Sequence, residues 1–86
     1  MTEPSLRAIG LRSGDRVRFR RRSGSWAEGV AVRMEKDGSV GVRDHRGAAR
    51  AIRIEALEVR TTGPRGAPRW EPLADVAART EQLDLF

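Results

Sequence analysis

From Leu11 onward the chain changes character, and apolar residues begin to alternate with polar ones. In Gly14-Asp15-Arg16-Val17-Arg18-Phe19-Arg20, Val17 and Phe19 fall on one side and Arg16, Arg18 and Arg20 on the other. Side chains alternate across a strand, so this stretch predicts a half-buried strand with an arginine outer face. The segment from Ser25 to Glu35 spaces Trp26, Val30, Val32 and Met34 evenly, which predicts a second strand with those residues inward. Gly29 lies in the middle of it and is expected to mark a bulge or sharp bend. Lys36-Asp37-Gly38 reads as a hairpin turn, because glycine supplies the positive φ that such turns need. A third strand carries Val40 and Val42 inward, and Asp44-His45-Arg46-Gly47 makes the next turn. Ile52 and Ile54 mark a fourth strand. Glu55-Ala56-Leu57 reads as a single helical turn, and Leu57 and Val59 alternate in a short fifth strand.

Five short antiparallel strands joined by tight turns do not make a stable open sheet alone. Closing them into a small barrel hides the edges and gives one core. The expected fold is therefore all-β: a small five-stranded antiparallel barrel over residues 11–60. Its expected core is Val17, Phe19, Trp26, Val30, Val32, Met34, Val40, Val42, Ile52, Ile54, Leu57 and Val59. Residues 1–10 have few apolar positions and read as a flexible lead-in. Residues 61–70 hold Gly63, Pro64, Gly66 and Pro68 and read as an extended Pro/Gly linker. In residues 71–86, Leu73, Val76, Ala77, Thr80 and Leu83 recur at helical spacing. A short amphipathic helix from about Pro72 to Thr80 is predicted, with Pro72 at its first position and Asp75 in its N-terminal turn. So short a helix is marginal alone and must dock, or form only on binding. An extended tail follows.

The opening Gly14-Asp15-Arg16-Val17, the Trp26-to-Val32 strand with its glycine, the Asp37-Gly38 hairpin and the Ile54-to-Val59 ending together resemble the Tudor-like and Src-homology-3-like small barrels. The resemblance covers about half the chain and is similar to the C-terminal Tudor-like domains of bacterial repair helicases. It implies a barrel that binds DNA, a polymerase, a helicase or RNA polymerase. Methyl-lysine reading, another use of Tudor barrels, needs an aromatic cage. This chain has no tyrosine, and only Phe19 and Trp26 fall within the barrel.

Charge sharpens this picture. Sixteen of the 17 basic residues are arginine, Lys36 being the exception. Residues 11–60 hold 13 Lys and Arg against 7 Asp and Glu, whereas residues 71–86 hold one arginine against four acids. The body is basic and the tail acidic. Arginine pairs bidentately with phosphate or carboxylate, so a polyanion or an acidic protein is an expected partner, with simple solubility as the alternative. No cysteine is present, and no apolar run approaches a membrane span. A soluble, cytoplasmic and nucleoid-associated protein without membrane contact is expected.

Catalytic chemistry finds little footing. His45 is the one histidine and falls in a turn, the serines lie near turns without a neighbouring base, and no paired-carboxylate or Gly-rich phosphate motif occurs. One histidine without a thiolate cannot make a transition-metal set. The expectation is a non-enzymatic binding module without catalytic residues, metal or cofactor.

Two stretches carry candidate binding chemistry. Arg16, Arg18, Arg20, Arg21 and Arg22, with Trp26 just beyond the turn, give the basic strand and aromatic neighbour that a phosphate-tracking surface needs. Against this, outward arginines also guard edge strands, and the phase of Trp26 suits the core. Trp70, between linker and helix, reads as an anchor pinning the C-terminal segment to the barrel. The second stretch is Gln82-Leu83-Asp84-Leu85-Phe86. It resembles the pentapeptide Gln-Leu-(Ser or Asp)-Leu-Phe by which bacterial partners bind the ring-shaped sliding clamp of DNA polymerase III, its beta subunit, and every position agrees. A chance match in a chain this long occurs on the order of once in ten thousand. The resemblance implies an extended peptide in a surface groove, with Gln82 in a polar pocket. Leu85 and Phe86 would fill the adjoining apolar pocket, with Leu83 at its rim and Asp84 outward. The competing view makes Leu83 a continuation of the helix stripe and Phe86 a lid on the barrel. It leaves Gln82 without a role.

The expected function is thus a bacterial replication or repair accessory protein, tethered to the clamp by residues 82–86 and presenting a basic barrel to DNA or another protein. The alternative is a nucleic-acid-binding, RNA-polymerase-binding or helicase-binding module whose C-terminus is structural.

Overall fold

The computed structural model describes residues 5–83. A 3-10 turn at Leu6–Ile9 leads into six strands: β1 Arg16–Arg20, β2 Trp26–Met34, β3 Val40–Asp44, β4 Ala49–Ile52, β5 Leu57–Thr62 and β6 Pro68–Pro72. Further 3-10 turns sit at Ile54–Ala56 and Pro64–Gly66, and helix α1 runs Leu73–Leu83. The strands form one antiparallel sheet in the order β4-β3-β2-β1-β5-β6.

This corrects the expected five-stranded closed barrel. The sheet is open and has a sixth strand. On its far side from β1, β5 pairs with β6, so it has no free edge on which the sheet could close. The sixth strand comes from the segment expected to be a linker. Gly63 N–H donates to Ala67 C=O at 2.7 Å and closes a hairpin, so residues 61–70 belong largely to β5 and β6. Pro68 and Pro72 lie at the ends of an edge strand, where a missing N–H donor is tolerated. The prolines that suggested a linker are those an edge strand accepts.

The inner face carries Val17, Phe19, Ala27, Ala31, Val40, Val42, Leu57 and Val59, all buried. The expected core is corrected at β2: Trp26, Val30 and Val32 are exposed, and Ala27 and Ala31 are inward in their place. The short turn after β1, closed by Arg21 N–H to Ser25 C=O at 2.8 Å, sets the pairing Arg20↔Trp26 and Phe19↔Ala27. Paired residues share a face, so Trp26 goes outward with Arg20. Small residues are also what the inner track of β2 can hold. A Cβ on Gly29 would lie 2.5 Å from the Arg43 carbonyl oxygen and 2.9 Å from Val42 Cγ1. Gly29 itself is regularly paired, with Val17 and Asp44, and the irregularity falls between Ala31 and Arg33 instead. Met34, Ile52 and Ile54 pack against the core from its margin.

The turns form as expected. Glu35 N–H donates to Ser39 C=O at 2.8 Å around Gly38, and Asp44 N–H to Ala48 C=O at 3.0 Å around Gly47. Each is tied by an aspartate. Asp37 Oδ1 accepts Ser39 Oγ at 2.6 Å and its N–H at 3.0 Å, and these bonds hold the carboxyl below the usual carboxylate range. Asp44 Oδ1 accepts the Ala48 and Arg46 N–H groups, each at 2.9 Å, with the same effect.

The lead-in and the helix meet. Leu6 is buried beside Leu11, so this part of the expected lead-in belongs to the core. Helix α1 packs Leu73 and Val76 inward over the Leu6–Ile9 turn. Burying each such side chain contributes about 1.5–3 kcal/mol. At the crossing, Gly10 (φ 81) comes so close that a Cβ would lie 2.5 Å from Thr80 Oγ1 and 2.8 Å from Val76 Cγ1. A buried carboxylate fastens the helix to β6: Glu71 accepts Arg69 Nη2 at 2.7 Å and Arg79 Nη2 at 2.5 Å. Arg79 and then Arg69 draw the Glu71 carboxyl below the ordinary glutamate range. The helix docks on its own chain, and it runs to Leu83 rather than ending near Thr80.

Candidate nucleic-acid interface

The alternation that buries Val17 and Phe19 sends Arg16, Arg18 and Arg20 to the opposite face of β1. The same pairing brings Trp26, Glu28 and Val30 of β2 and Glu58 and Arg60 of β5 to that face. Across the last hairpin, Arg60↔Trp70 and Glu58↔Pro72 add β6. Four adjacent strands thus present one open face of arginine, tryptophan and two glutamates.

Its centre is Arg18. The guanidinium lies 4.0 Å from the Trp26 ring centroid and 4.7 Å from that of Trp70. Its Nη2 is 2.6 Å and its Nε 2.7 Å from Glu58 Oε1. Arg20 lies 4.4 Å from the Trp26 ring and donates through Nη1 to the Gly24 carbonyl at 2.7 Å. Arg60 lies 5.5 Å from the Trp70 ring. The order Arg20, Trp26, Arg18, Trp70, Arg60 is a continuous cation–π ladder running across the strands. Arg16 pairs with Glu28 at 3.2 Å with both side chains largely exposed, so that contact yields little and leaves Arg16 accessible.

The expected site residues divide accordingly. Arg16, Arg18, Arg20 and Trp26 are brought together, while Arg21 and Arg22 are exposed in the turn beyond the end of β1. Trp26 is on this face and not in the core. Trp70, expected chiefly as an anchor with a partner contact left open, is half-buried and forms the second aromatic of the ladder. Arg60 and Glu58 were not anticipated as part of a site. Their signal was the alternation Glu58-Val59-Arg60, carried across the Gly63–Ala67 hairpin to Trp70. His45 is exposed in its turn. Among the described residues no cluster of His, Cys, Asp or Glu is placed to hold a metal ion, and no helix is long and apolar enough to cross a membrane.

At the other end of the chain, Gln82 lies exposed in the last turn of α1, and Leu83 is the final helical residue. Both were expected in an extended tail. Asp84, Leu85 and Phe86 lie outside the described residues. Compared with known proteins, the chain matches no family model, no curated sequence and no solved structure.

Proposed function

We propose that this protein is a non-enzymatic accessory factor of bacterial DNA replication or repair. Residues Gln82 to Phe86 bind the sliding clamp, and the arginine–tryptophan face contacts DNA or a second replication or repair protein. The observation that carries this reading is the solvent-facing ladder centred on Arg18, which collects charge and aromatic surface on a face that the core does not use. Two further features support it. Helix α1 is held by Leu73, Val76 and the Glu71–Arg79 pair, so its fastening makes no use of the exposed Gln82. On this reading strands β1–β5 are related to a Tudor-like barrel, and the curvature of the sheet supports that relation. The Arg50 guanidinium of β4 reaches within 6.0 Å of the Phe19 ring of β1, so the sheet curls.

On this reading the clamp supplies location and the face a weaker second contact, made effective by high local concentration. Binding of purified sliding clamp to the full chain, to a chain lacking residues 82–86 and to Gln82→Ala tests the tether. Loss of binding in both variants is expected, and equal affinity in all three would overturn it.

A second reading draws on the helical state of Gln82 and Leu83: a nucleic-acid-binding, RNA-polymerase-binding or helicase-binding module whose C-terminus is structural. It predicts that removing residues 82–86 lowers thermal stability and leaves nucleic-acid binding intact.

A further inference from the structure

We infer that the arginine–tryptophan face takes single-stranded DNA in preference to duplex. This deepens the proposed function and rests on it for the choice of DNA over RNA. The ladder spans four neighbouring strands, β2, β1, β5 and β6, which places its outer strands about 14 Å apart. A duplex major groove is about 12 Å wide and admits a helix or a two-stranded ribbon. A four-stranded face is therefore too wide for that groove, and on an undeformed duplex it meets the phosphates rather than the base edges. A single strand has no such restriction, since its bases can splay onto a flat surface.

The chemistry of the face matches that ligand. Bases stack on aromatic rings and on guanidinium planes, and phosphates pair with arginine. Trp26 and, four residues further along β2, Val30 are each 37 % exposed, which gives uncharged surface for base faces. Arg16 and Arg20 lie about 6.7 Å from Arg18 on either side along β1. Arg20 and Arg60 are exposed at the two ends of the ladder, where a guanidinium can reach a phosphate beside its ring. Arg18, held by Glu58 and both rings, keeps the two indoles apart at fixed spacing. An acidic peptide would pair with the arginines but would leave the two indoles without a planar partner.

Trp26 and Trp70 are the two tryptophans of the chain, which has no tyrosine, so intrinsic emission reports on this face alone. The full chain is titrated with oligo-dT of about 16 nucleotides, with a duplex of equal length, with oligo-rU and with a poly-glutamate peptide. Oligo-dT is expected to quench emission and to bind about tenfold more tightly than duplex. Trp70→Ala and Arg60→Glu should each weaken it by about tenfold. Arg60 is exposed, so its variant tests the site even if the tryptophan variant fails to fold. Duplex binding as tight as oligo-dT overturns the inference, as does tighter binding of oligo-rU or of poly-glutamate. Clamp binding measured on the same variants separates the two claims. Gln82→Ala should lose the clamp and keep oligo-dT, and Arg60→Glu should do the reverse.

Discussion

Arg18 donates through Nε to Glu58 Oε1 at 2.7 Å, and its Nη2 lies 2.6 Å from the same oxygen, in the middle of the outer face of the sheet. The pair is cross-strand and directly opposed, so geometry rather than chance contact holds it. Glu58 also places a negative charge on the face proposed to meet phosphates. Glu58→Gln is expected to raise oligo-dT affinity several-fold while costing about 1 kcal/mol or less of stability, because the pair is only half-buried. Tryptophan emission and urea unfolding measure the two effects. Unchanged or weaker oligonucleotide binding would show that the charge of the face does not govern its ligand.

The two aromatic residues nearest the β1–β2 turn should behave oppositely. Phe19 is buried beneath the sheet, and Phe19→Ala is expected to cost about 3–5 kcal/mol in chemical unfolding. Trp26 faces outward, and Trp26→Ala should cost about 1 kcal/mol, roughly what its cation–π contacts contribute.

Two glycines with the same backbone sign separate strain from collision. Gly47 (φ 84) has nothing near its missing Cβ, whereas Gly10 (φ 81) lies against Thr80 and Val76. Gly47→Ala should lose about 1 kcal/mol from left-handed strain alone. Gly10→Ala should lose about 1–3 kcal/mol more, because the added methyl pushes helix α1 off its seat. Near-equal losses would mean that the helix is not seated there.

Acid should loosen the helix. The folded Glu71 carboxyl is drawn down by Arg79 and Arg69, so it binds its proton less readily than in the unfolded chain. Its contribution to stability is whole above the ordinary glutamate range near 4.3 and is lost as pH falls through the lower folded value. Asp37 and Asp44 act in the same direction. Thermal unfolding from neutral pH downward should show the midpoint falling below about pH 4.5. Glu71→Gln should start lower and show a shallower fall.

Much of the strand pattern was legible in the sequence because alternation at β1, β3 and β5 is unambiguous: Val17 and Phe19, Val40 and Val42, Leu57 and Val59 are all inward. Asp37-Gly38 and Asp44-Gly47 carry their turn chemistry in the residues themselves. The second strand misleads because hydrophobicity and burial part company there. Trp26, Val30 and Val32 are large apolar residues, yet the turn register and the Gly29 contact leave the inner track to Ala27 and Ala31. β6 was hidden because Pro68 and Pro72 mark both a linker and an edge strand. Local composition cannot separate the two, since the difference lies in a long-range pairing with β5. Half the candidate site followed from β1 alone. Trp70, Glu58 and Arg60 needed that same pairing before they could be seen as one surface.

The proposal is that one chain grips the clamp with its C-terminal peptide and DNA with its sheet face. The direct measurement compares its affinity for free sliding clamp with that for clamp loaded on primed single-stranded DNA. The prediction is an affinity about a hundredfold higher for the loaded clamp, reduced to the free-clamp value by Arg60→Glu and abolished in both settings by deletion of residues 82–86. Equal affinity for free and loaded clamp in the unaltered protein would contradict it.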